Sequence, residues 1–324
     1  MNKKIIISCL AICLLVILFG CTSSPNKDKT IRIGVSVYRF DDNFMTLYRE
    51  EIKNYIETLN GETVKYEITI LDADNDQHIQ NEQIDTFIKE KYDVLIVNMV
   101  QSSSALEIIE KVKTKNIPVV FINREPMPED MQQYDKATYV GSDAKQAGTY
   151  QGEIILETAT QGDINMDGKI SYISITGEVC CVDVGRRTEY SIKALTDAGK
   201  EVELLLTQRG DWLEDMGYDI TYTALEQFGK KIEVVFAEND SMALGAMTAI
   251  EELGRKVGKD IYVVGVDAID EVVPLVEAGR ITGTVLNNYV NHAHAAIDAA
   301  IDLANGKTID KYIWIDYVKI TAPK

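Results

Sequence analysis

From Ile31 onward, short apolar runs rich in β-branched residues alternate with longer amphipathic segments. The first runs are IRIGVSV, YEITILD, DVLIVNMV and IPVVFIN, and helical patterns near 43–60, 77–90 and 103–115 separate them. Such alternation is typical of βαβ units, in which a helix connects two neighbouring parallel strands. The pattern therefore predicts an α/β protein with parallel sheets covered by helices.

A second series of the same kind begins at ATYVGSD and continues with ISYISITG, EVELLLTQ, IEVVFAEND and IYVVGVD. Its helical patterns lie near 144–159, 183–198, 215–229 and 241–254. Two similar series predict two similar lobes, and a chain of 324 residues suits two domains.

The end of the chain can return to both lobes. ITGTVLNN is followed by a helical pattern near 290–305 and by one closing strand near 312–320. We therefore predict an N-terminal lobe made of 31–139 and about 288–311, and a C-terminal lobe made of 140–287 and about 312–324. Two lobes joined by several crossings form a hinge that closes around a ligand.

The N-terminus has the organisation of a secretory signal. Two lysines precede the apolar run IIISCLAICLLVILF, which is shorter than the roughly 20 residues that span a membrane. The next segment, LFGC at 18–21, resembles the lipobox of bacterial lipoproteins, in which the cysteine is acylated. We predict a signal peptide over 1–20, lipidation at Cys21, a linker over 21–30 and an extracytoplasmic, membrane-anchored protein. An ordinary secretion signal and an uncleaved anchor are the alternatives.

Composition excludes several classes of function. The net charge of −18 argues against a nucleic-acid partner, because phosphates require cations. After signal cleavage and lipidation only Cys180 and Cys181 remain, as two reduced thiols or a strained vicinal bridge, so no disulfide framework is expected. The three histidines lack metal-ligand spacing and are expected at the surface, and no nucleophile or phosphate-loop motif occurs. We expect a protein that binds, not an enzyme.

One segment, Asp163–Ser171, reproduces the first nine positions of an EF-hand calcium loop. Side-chain oxygens fall at positions 1, 3 and 5, glycine at position 6 permits the turn, and Lys169 would contribute its carbonyl. The twelfth position is Ser174 and not glutamate, so a distant carboxylate must complete a site. Glu233, inside the apolar strand KIEVVF, is the candidate, since a buried glutamate needs a partner. The alternative is an Asx-rich turn with Glu233 at a solvated edge.

Polar residues lie where predicted strands end, which is where parallel sheets bind ligands. They are Asn123, Asn239, Asp267 and Asn287. Asp42 and Phe44 follow the first strand, and a carboxylate beside an aromatic ring suits the hydroxyls and C–H face of a sugar. The same pair would equally make a helix cap and a core contact. Trp212 is either a facing wall of the site or a core residue.

Asp183 and Arg187 lie four residues apart at the start of a predicted helix and share one of its faces. They could form a surface ion pair of little energetic value. At the cleft end of a strand, they could instead hold each other rigid while presenting an acceptor and a donor to a hydroxyl.

Taken together, YRFDDNFM, PVVFINREP, YDKATYVGSD, DINMDGKI, IEVVFAENDSMALGA, VVGVDAIDE and TVLNN resemble the periplasmic galactose/glucose-binding proteins. The resemblance implies the type I periplasmic binding protein fold, two Rossmann-like lobes joined by a three-strand hinge. It implies a monosaccharide ligand, a structural Ca²⁺ and delivery to an ABC transporter permease. A membrane sensor is the alternative partner.

The resemblance also implies the roles of individual residues. It makes Phe44 and Trp212 the stacking pair. The hydrogen-bonding set becomes Asp42, Asn123, Asp183, Arg187, Asn239, Asp267 and Asn287. The calcium ligands become Asp163, Asn165, Asp167, the carbonyl of Lys169, Ser171 and Glu233.

Two positions depart from the family. Ser171 stands where the family usually has glutamine at the ninth calcium position. Cys181 stands in GEVCCVD where the family has the histidine that contacts the 6-hydroxyl of a hexose. Since a thiol is a weak donor, we expect D-glucose or D-galactose first, with D-xylose second. A sugar-responsive repressor would need an N-terminal helix-turn-helix, and a glycosidase would use Asp42 and Asp183 as paired acids; both fit the sequence less well.

Overall fold

The computed structural model describes residues 29–62, 64–179 and 181–323. The expected signal peptide, Cys21 and Cys180 lie outside these residues. Among the described helices, none combines the length and the apolar character that a membrane crossing requires.

The first lobe is a six-stranded parallel sheet with helices on both faces. Its strands are β1 (Lys29–Val37), β2 (Val64–Asp72), β3 (Val94–Val97), β4 (Val119–Ile122), β5 (Ala137–Gly141) and β11 (Tyr312–Trp314), in the spatial order β11-β5-β4-β3-β1-β2. Helices α1 (Asn43–Leu59) and α10 (Tyr289–Ala304) cover one face. Helices α2 (Gln77–Lys89), α3 (Ala105–Lys113) and α4 (Pro128–Met131) cover the other. Strands β3 and β4 are wholly apolar and wholly buried, because a parallel sheet is covered on both faces.

The second lobe repeats the plan with one strand reversed. Its strands are β6 (Lys169–Thr176), β7 (Glu201–Arg209), β8 (Val234–Ala237), β9 (Tyr262–Val264), β10 (Gly283–Leu286) and β12 (Val318–Thr321), in the order β12-β10-β9-β8-β6-β7. Strand β12 is antiparallel to β10. The helices are α5 (Ala144–Leu156), α6 (Val182–Asp197), α7 (Glu214–Phe228), α8 (Asp240–Glu252) and α9 (Val273–Glu277).

The lobe boundaries differ from those expected at two points. Strand β5 pairs with β4 in the first sheet up to Val140, whereas we placed the boundary after residue 139. The single closing strand near 312–320 is two strands, one in each sheet. Trp314 and Tyr312 stack on each other and pack edge-on against Tyr139 of β5, which fixes β11 in the first sheet. The last crossing therefore lies between β11 and β12.

Three chain crossings connect the lobes in the described structure, between β5 and α5, between β10 and α10, and between β11 and β12. The hydroxyl of Ser142 contacts residues from the other two crossings. Ser142 lies between β5 and α5, its Oγ donates to the Ile315 carbonyl oxygen at 2.5 Å, and it lies 2.8 Å from Nε2 of His292. His292 follows the crossing from β10 to α10 and is buried, although we expected it at the surface. Burial lowers the pKa of His292 to about 3, so the imidazole is neutral at physiological pH.

Candidate functional site

A cavity lies between the lobes, where the carboxyl ends of both sheets meet. It is lined by Tyr38, Asp42, Phe44, Asn123, Arg124, Cys181, Asp183, Arg187, Trp212, Asn239 and Asp267. Every predicted ligand-binding residue except Asn287 is therefore part of this wall. Asn287 lies directly behind it and donates from Nδ2 to Oδ1 of Asp267 at 3.3 Å.

Asp42 caps helix α1 and also faces the cavity. Its Oδ1 accepts a hydrogen bond from the Met45 amide at 2.7 Å, and its Oδ2 accepts one from the Tyr38 hydroxyl at 2.6 Å. Phe44, in the first turn of α1, packs edge-on against Tyr48 at a centroid distance of 6.0 Å. The two alternatives for this segment are thus compatible, because the cap that starts the helix also holds a carboxylate at the cavity wall.

Asn239 in the second lobe also caps a helix and lines the cavity. Its Oδ1 caps α8 by accepting from the Met242 amide at 3.0 Å, and its Nδ2 donates to the Trp212 carbonyl oxygen at 3.1 Å. The amide group therefore ties the start of α8 to the loop that carries the indole.

Three cavity residues other than glycine have left-handed backbone. Their φ angles are +60° at Asn123, +68° at Trp212 and +117° at Asp267. Such conformations are uncommon for residues with a Cβ and cluster at ligand-binding sites, where the surrounding structure imposes them. The loops after β4, β7 and β9 are therefore shaped by the site as well as by the sheets.

Asp183 and Arg187 are both buried in the first turns of α6, so they are not the surface ion pair that was one alternative. The other alternative, in which they hold each other rigid, is not formed either, because Arg187 bonds to other groups. Arg187 donates from Nη1 to the Glu238 carbonyl oxygen at 2.6 Å and from Nη2 to the Tyr317 hydroxyl at 3.2 Å. These acceptors lie on the loops after β8 and before β12. Oδ1 of Asp183 and Nε of Arg187 are buried without a hydrogen-bond partner among the described residues. Such atoms are rare in proteins and indicate a ligand or ordered water.

Burial also changes the acid–base behaviour of this wall. It raises the pKa of Asp183 to about 6 and the pKa of Asp267 to about 7. It raises the pKa of Glu238, next to the site, to about 7 as well. The charge of Arg187 opposes each of these shifts, so this one cation keeps three buried carboxyls closer to ionisation.

Trp212 lines the cavity from the second lobe, and a glycine makes room for it. A Cβ on Gly177 would lie 1.9 Å from the indole ring, so only glycine is compatible with this packing. The Arg187 guanidinium lies 5.7 Å from the ring centroid. Trp212 also packs against the core of the second lobe, so it is both a core residue and a wall.

Two cavity residues, Tyr38 and Arg124, escaped the sequence analysis. Tyr38 follows β1, and Arg124 follows Asn123 at the end of β4. The Arg124 guanidinium lies 3.8 Å from the centroid of the Tyr38 ring and donates from Nη2 to Oε2 of Glu178 at 2.8 Å. Since both positions are strand ends, the rule that identified Asn123 would have found them.

The loop over 163–171 is tied to Glu233 by hydrogen bonds. Glu233 is buried, and its two carboxylate oxygens accept hydrogen bonds from the amides of Asn165 and Ser171, both at 2.9 Å. Oxygens of Asp163 and Asp167 accept from backbone amides inside the loop. The Ser171 hydroxyl is buried without a partner in the described structure.

This arrangement gathers hard oxygen donors, which are the ligands that calcium prefers. No group of three or more His, Cys, Asp or Glu side chains is placed to hold a metal among residues 29–62, 64–179 and 181–323. A cation in the loop would therefore depend on amide, hydroxyl and carbonyl oxygens in addition to carboxylates.

Comparison with known proteins agrees with this architecture. A family model described as a periplasmic binding protein domain matches residues 33–308. The D-galactose/methyl-galactoside binding periplasmic protein of Haemophilus influenzae is 36% identical over 302 residues, which cover 89% of this chain and 89% of that protein.

Two solved structures share the fold. An ABC transporter solute binding protein from Bacillus halodurans, with bound myo-inositol, is 26% identical with a TM-score of 0.77, and the match covers 92% of this chain and 96% of that one. A periplasmic solute binding protein from Actinobacillus succinogenes, with bound D-allose, is 19% identical with a TM-score of 0.79 and coverage of 90% and 97%. The predicted two-lobed fold is thereby confirmed, and the chain belongs to the periplasmic binding protein family.

Proposed function

We propose that this protein binds one monosaccharide between its lobes outside the cytoplasm and delivers it to an ABC transporter permease. The observation that carries the proposal is the lining of the cavity. It contains two aromatic rings, Phe44 and Trp212, together with buried polar atoms of Asp183 and Arg187 that lack hydrogen-bond partners in the described structure. Aromatic faces suit the C–H surface of a sugar ring, and unpaired acceptors and donors suit its hydroxyls. A lipid on Cys21 would hold the protein at the membrane.

D-galactose and D-glucose are the proposed ligands, since the relative from Haemophilus influenzae is named for galactose. Cys181 is buried at the cavity wall. It stands where the resemblance places the family's histidine, so a 6-hydroxyl would lose a strong hydrogen-bond partner. An unpaired buried hydroxyl costs about 1–3 kcal/mol. D-xylose has no such hydroxyl, so the difference in affinity between D-xylose and a hexose should be smaller than in a site that keeps the histidine.

Isothermal calorimetry on the chain from Ser23 onward, which contains every described element, tests the proposal. We expect one site per chain and hexose binding in the micromolar range or tighter, with xylose within about tenfold of glucose. Cys181→His should widen the preference for hexoses over xylose by roughly tenfold. A protein that binds none of the three sugars at millimolar concentration would refute the function. A preference unchanged in Cys181→His would refute the role of Cys181 alone.

We also propose that Ca²⁺ occupies the loop over 163–171. The proposed ligands are the side chains of Asp163, Asn165, Asp167, Ser171 and Glu233 and the carbonyl of Lys169. The buried hydroxyl of Ser171 and the tie between Glu233 and the loop support this assignment. A bound ion would offset the repulsion between the carboxylates and lock the loop to β8.

Removal of calcium should lower the thermal unfolding midpoint by several degrees, because an ion bound only by the folded state stabilises it by mass action. Scanning fluorimetry with 1 mM Ca²⁺ and with excess chelator measures the difference. Asp163→Ala should abolish it, whereas Asp215→Ala, an exposed acid in the same lobe, should leave it intact. Equal midpoints with and without Ca²⁺ in the unaltered protein would exclude a calcium site.

A further inference from the structure

Two ion pairs bridge the lobes beside the cavity, and they involve consecutive residues of the first lobe. Arg124 donates to Oε2 of Glu178 at 2.8 Å, and Glu125 pairs with Nη1 of Arg186. Each pair thus joins a charged residue of the first lobe to an oppositely charged residue of the second lobe. We name these two pairs the clasp.

The clasp supplies the ion pairs between the lobes in the described part of the chain. Other contacts across the cleft are Asn43 to Ser241 at 3.0 Å, Asn75 to Glu178 at 3.2 Å, and Arg39 to the Asp211 carbonyl oxygen at 3.1 Å. All remaining ion pairs of the described residues lie within one lobe. Among the described residues, the ion pairs that join the two lobes therefore involve four side chains.

The two pairs differ in exposure. The side chains of Arg124 and Glu178 are 4% and 5% exposed, whereas those of Arg186 and Glu125 are 24% and 5% exposed. When the lobes separate, all four charges regain water. When they close, each charge is buried against its partner, so loss of one partner leaves a desolvated charge in the closed form alone. The pairs consequently act on the opening equilibrium more than on the fold of either lobe.

A chain of contacts connects the clasp to the cavity. Asp42 accepts a hydrogen bond from Tyr38, and the Tyr38 ring lies under the Arg124 guanidinium. Arg124 itself lines the cavity, whereas Glu125 and Arg186 do not. The outer pair can therefore be altered without removing a group from the ligand site.

We propose that the clasp holds the closed form and sets the rate at which the ligand leaves. The proposal rests on the proposed function, since the ligand used to read it is a sugar. The inner pair aligns Arg124 over Tyr38 as a positioning residue, and the outer pair limits reopening.

Stopped-flow tryptophan fluorescence, to which Trp212 at the cavity contributes, tests the outer pair on the full-length protein in detergent with D-galactose or D-glucose. Glu125→Gln and Arg186→Gln should each raise the dissociation rate constant roughly tenfold or more, with little change in the association rate constant, because a buried charge loses its partner. The double exchange Glu125→Arg with Arg186→Glu should restore the rate to within about threefold. Glu251→Gln, which breaks the Arg280–Glu251 pair within the second lobe, is the matched control and should have no effect.

Unchanged dissociation rates in both single variants would overturn the proposal, and so would a double exchange that is no slower than the singles. Far-ultraviolet circular dichroism verifies that each variant is folded. A second measurement needs no sugar. Asn43→Cys and Ser241→Cys place thiols at side chains that touch across the closed cleft, and their oxidative cross-linking should slow about tenfold when Arg186→Gln is added. If Arg186→Gln slows cross-linking but the protein binds no sugar, the clasp is supported and the proposed function is refuted. If the protein binds sugar but neither cross-linking nor sugar release changes in the variants, the function is supported and the clasp is refuted.

Discussion

Arg187→Met should abolish measurable sugar binding, with affinity reduced by about three orders of magnitude. Arg187 is buried, donates to Glu238 and Tyr317, and holds an unpaired Nε at the cavity. Truncating a buried charged donor costs about 2–5 kcal/mol or more in binding, which spans this range. Calorimetry at pH 7 measures the loss. Arg187→Lys keeps the positive charge but not the planar set of N–H donors, so this variant should fold and should regain only part of the affinity. Affinity within tenfold of the unaltered protein in Arg187→Met would contradict the assignment.

The same substitution should make stability depend more steeply on pH. The pKa values of Asp183, Asp267 and Glu238 are raised to about 6, 7 and 7, above the roughly 4 of unfolded carboxyls. A raised carboxyl pKa gives stability that is fully present below pH 4 and lost as the pH rises through 6–7. Without Arg187 these pKa values rise further, so Arg187→Met should unfold at a clearly lower temperature at pH 8 and close to the unaltered protein at pH 5. An equal loss at both pH values would mean that packing, and not charge, is responsible.

Gly245→Ala should produce the largest loss of stability from one added methyl group. A Cβ at Gly245 in α8 would lie 2.0 Å from the Glu214 carbonyl oxygen and 2.5 Å from the Tyr218 amide nitrogen. Both are backbone atoms of α7 and cannot rotate away, so the two helices must separate. Overpacking of this kind costs about 1–3 kcal/mol and occasionally more, and we expect the upper end or beyond.

Chemical denaturation of the sugar-free protein measures this cost. Gly185→Ala is the matched control, because no atom lies within 4 Å of its added Cβ and alanine favours a helix. We expect that control to be neutral or stabilising. A Gly245→Ala protein as stable as the control would show that α7 and α8 tolerate a wider spacing.

The fold was largely predictable because the short apolar runs of the strands alternate clearly with the amphipathic pattern of the helices. The helix predicted at 43–60 is Asn43–Leu59, and the one predicted at 290–305 is Tyr289–Ala304. The failure near 312–320 has a physical cause, since IWIDYVKI is rich in aromatic and β-branched residues and contains no glycine or proline to mark the break. Which sheet accepts each half is decided by distant contacts, such as that of Trp314 with Tyr139.

The site was predictable where a residue's position alone decides its role. Strand ends located Asn123, Asn239 and Asp267, and the structure gathers them around one cavity. Pairing was not predictable in the same way. Asp183 and Arg187 share a helix face, yet Arg187 turns to acceptors more than 50 positions away in the chain. A sequence shows which groups are near each other on a helix, but not which acceptors from other elements compete for them.

The return of the chain at its end affects how the protein is made. The first sheet lacks its edge strand until β11 is available, and the second lacks its own until β12 follows a few residues later. Neither lobe is thus complete until almost the whole chain has been synthesised, and premature termination anywhere before β11 leaves two unfinished domains instead of one finished one. In a chain built in this way, the two lobes acquire their last strands almost together, so neither lobe can finish folding well ahead of the other.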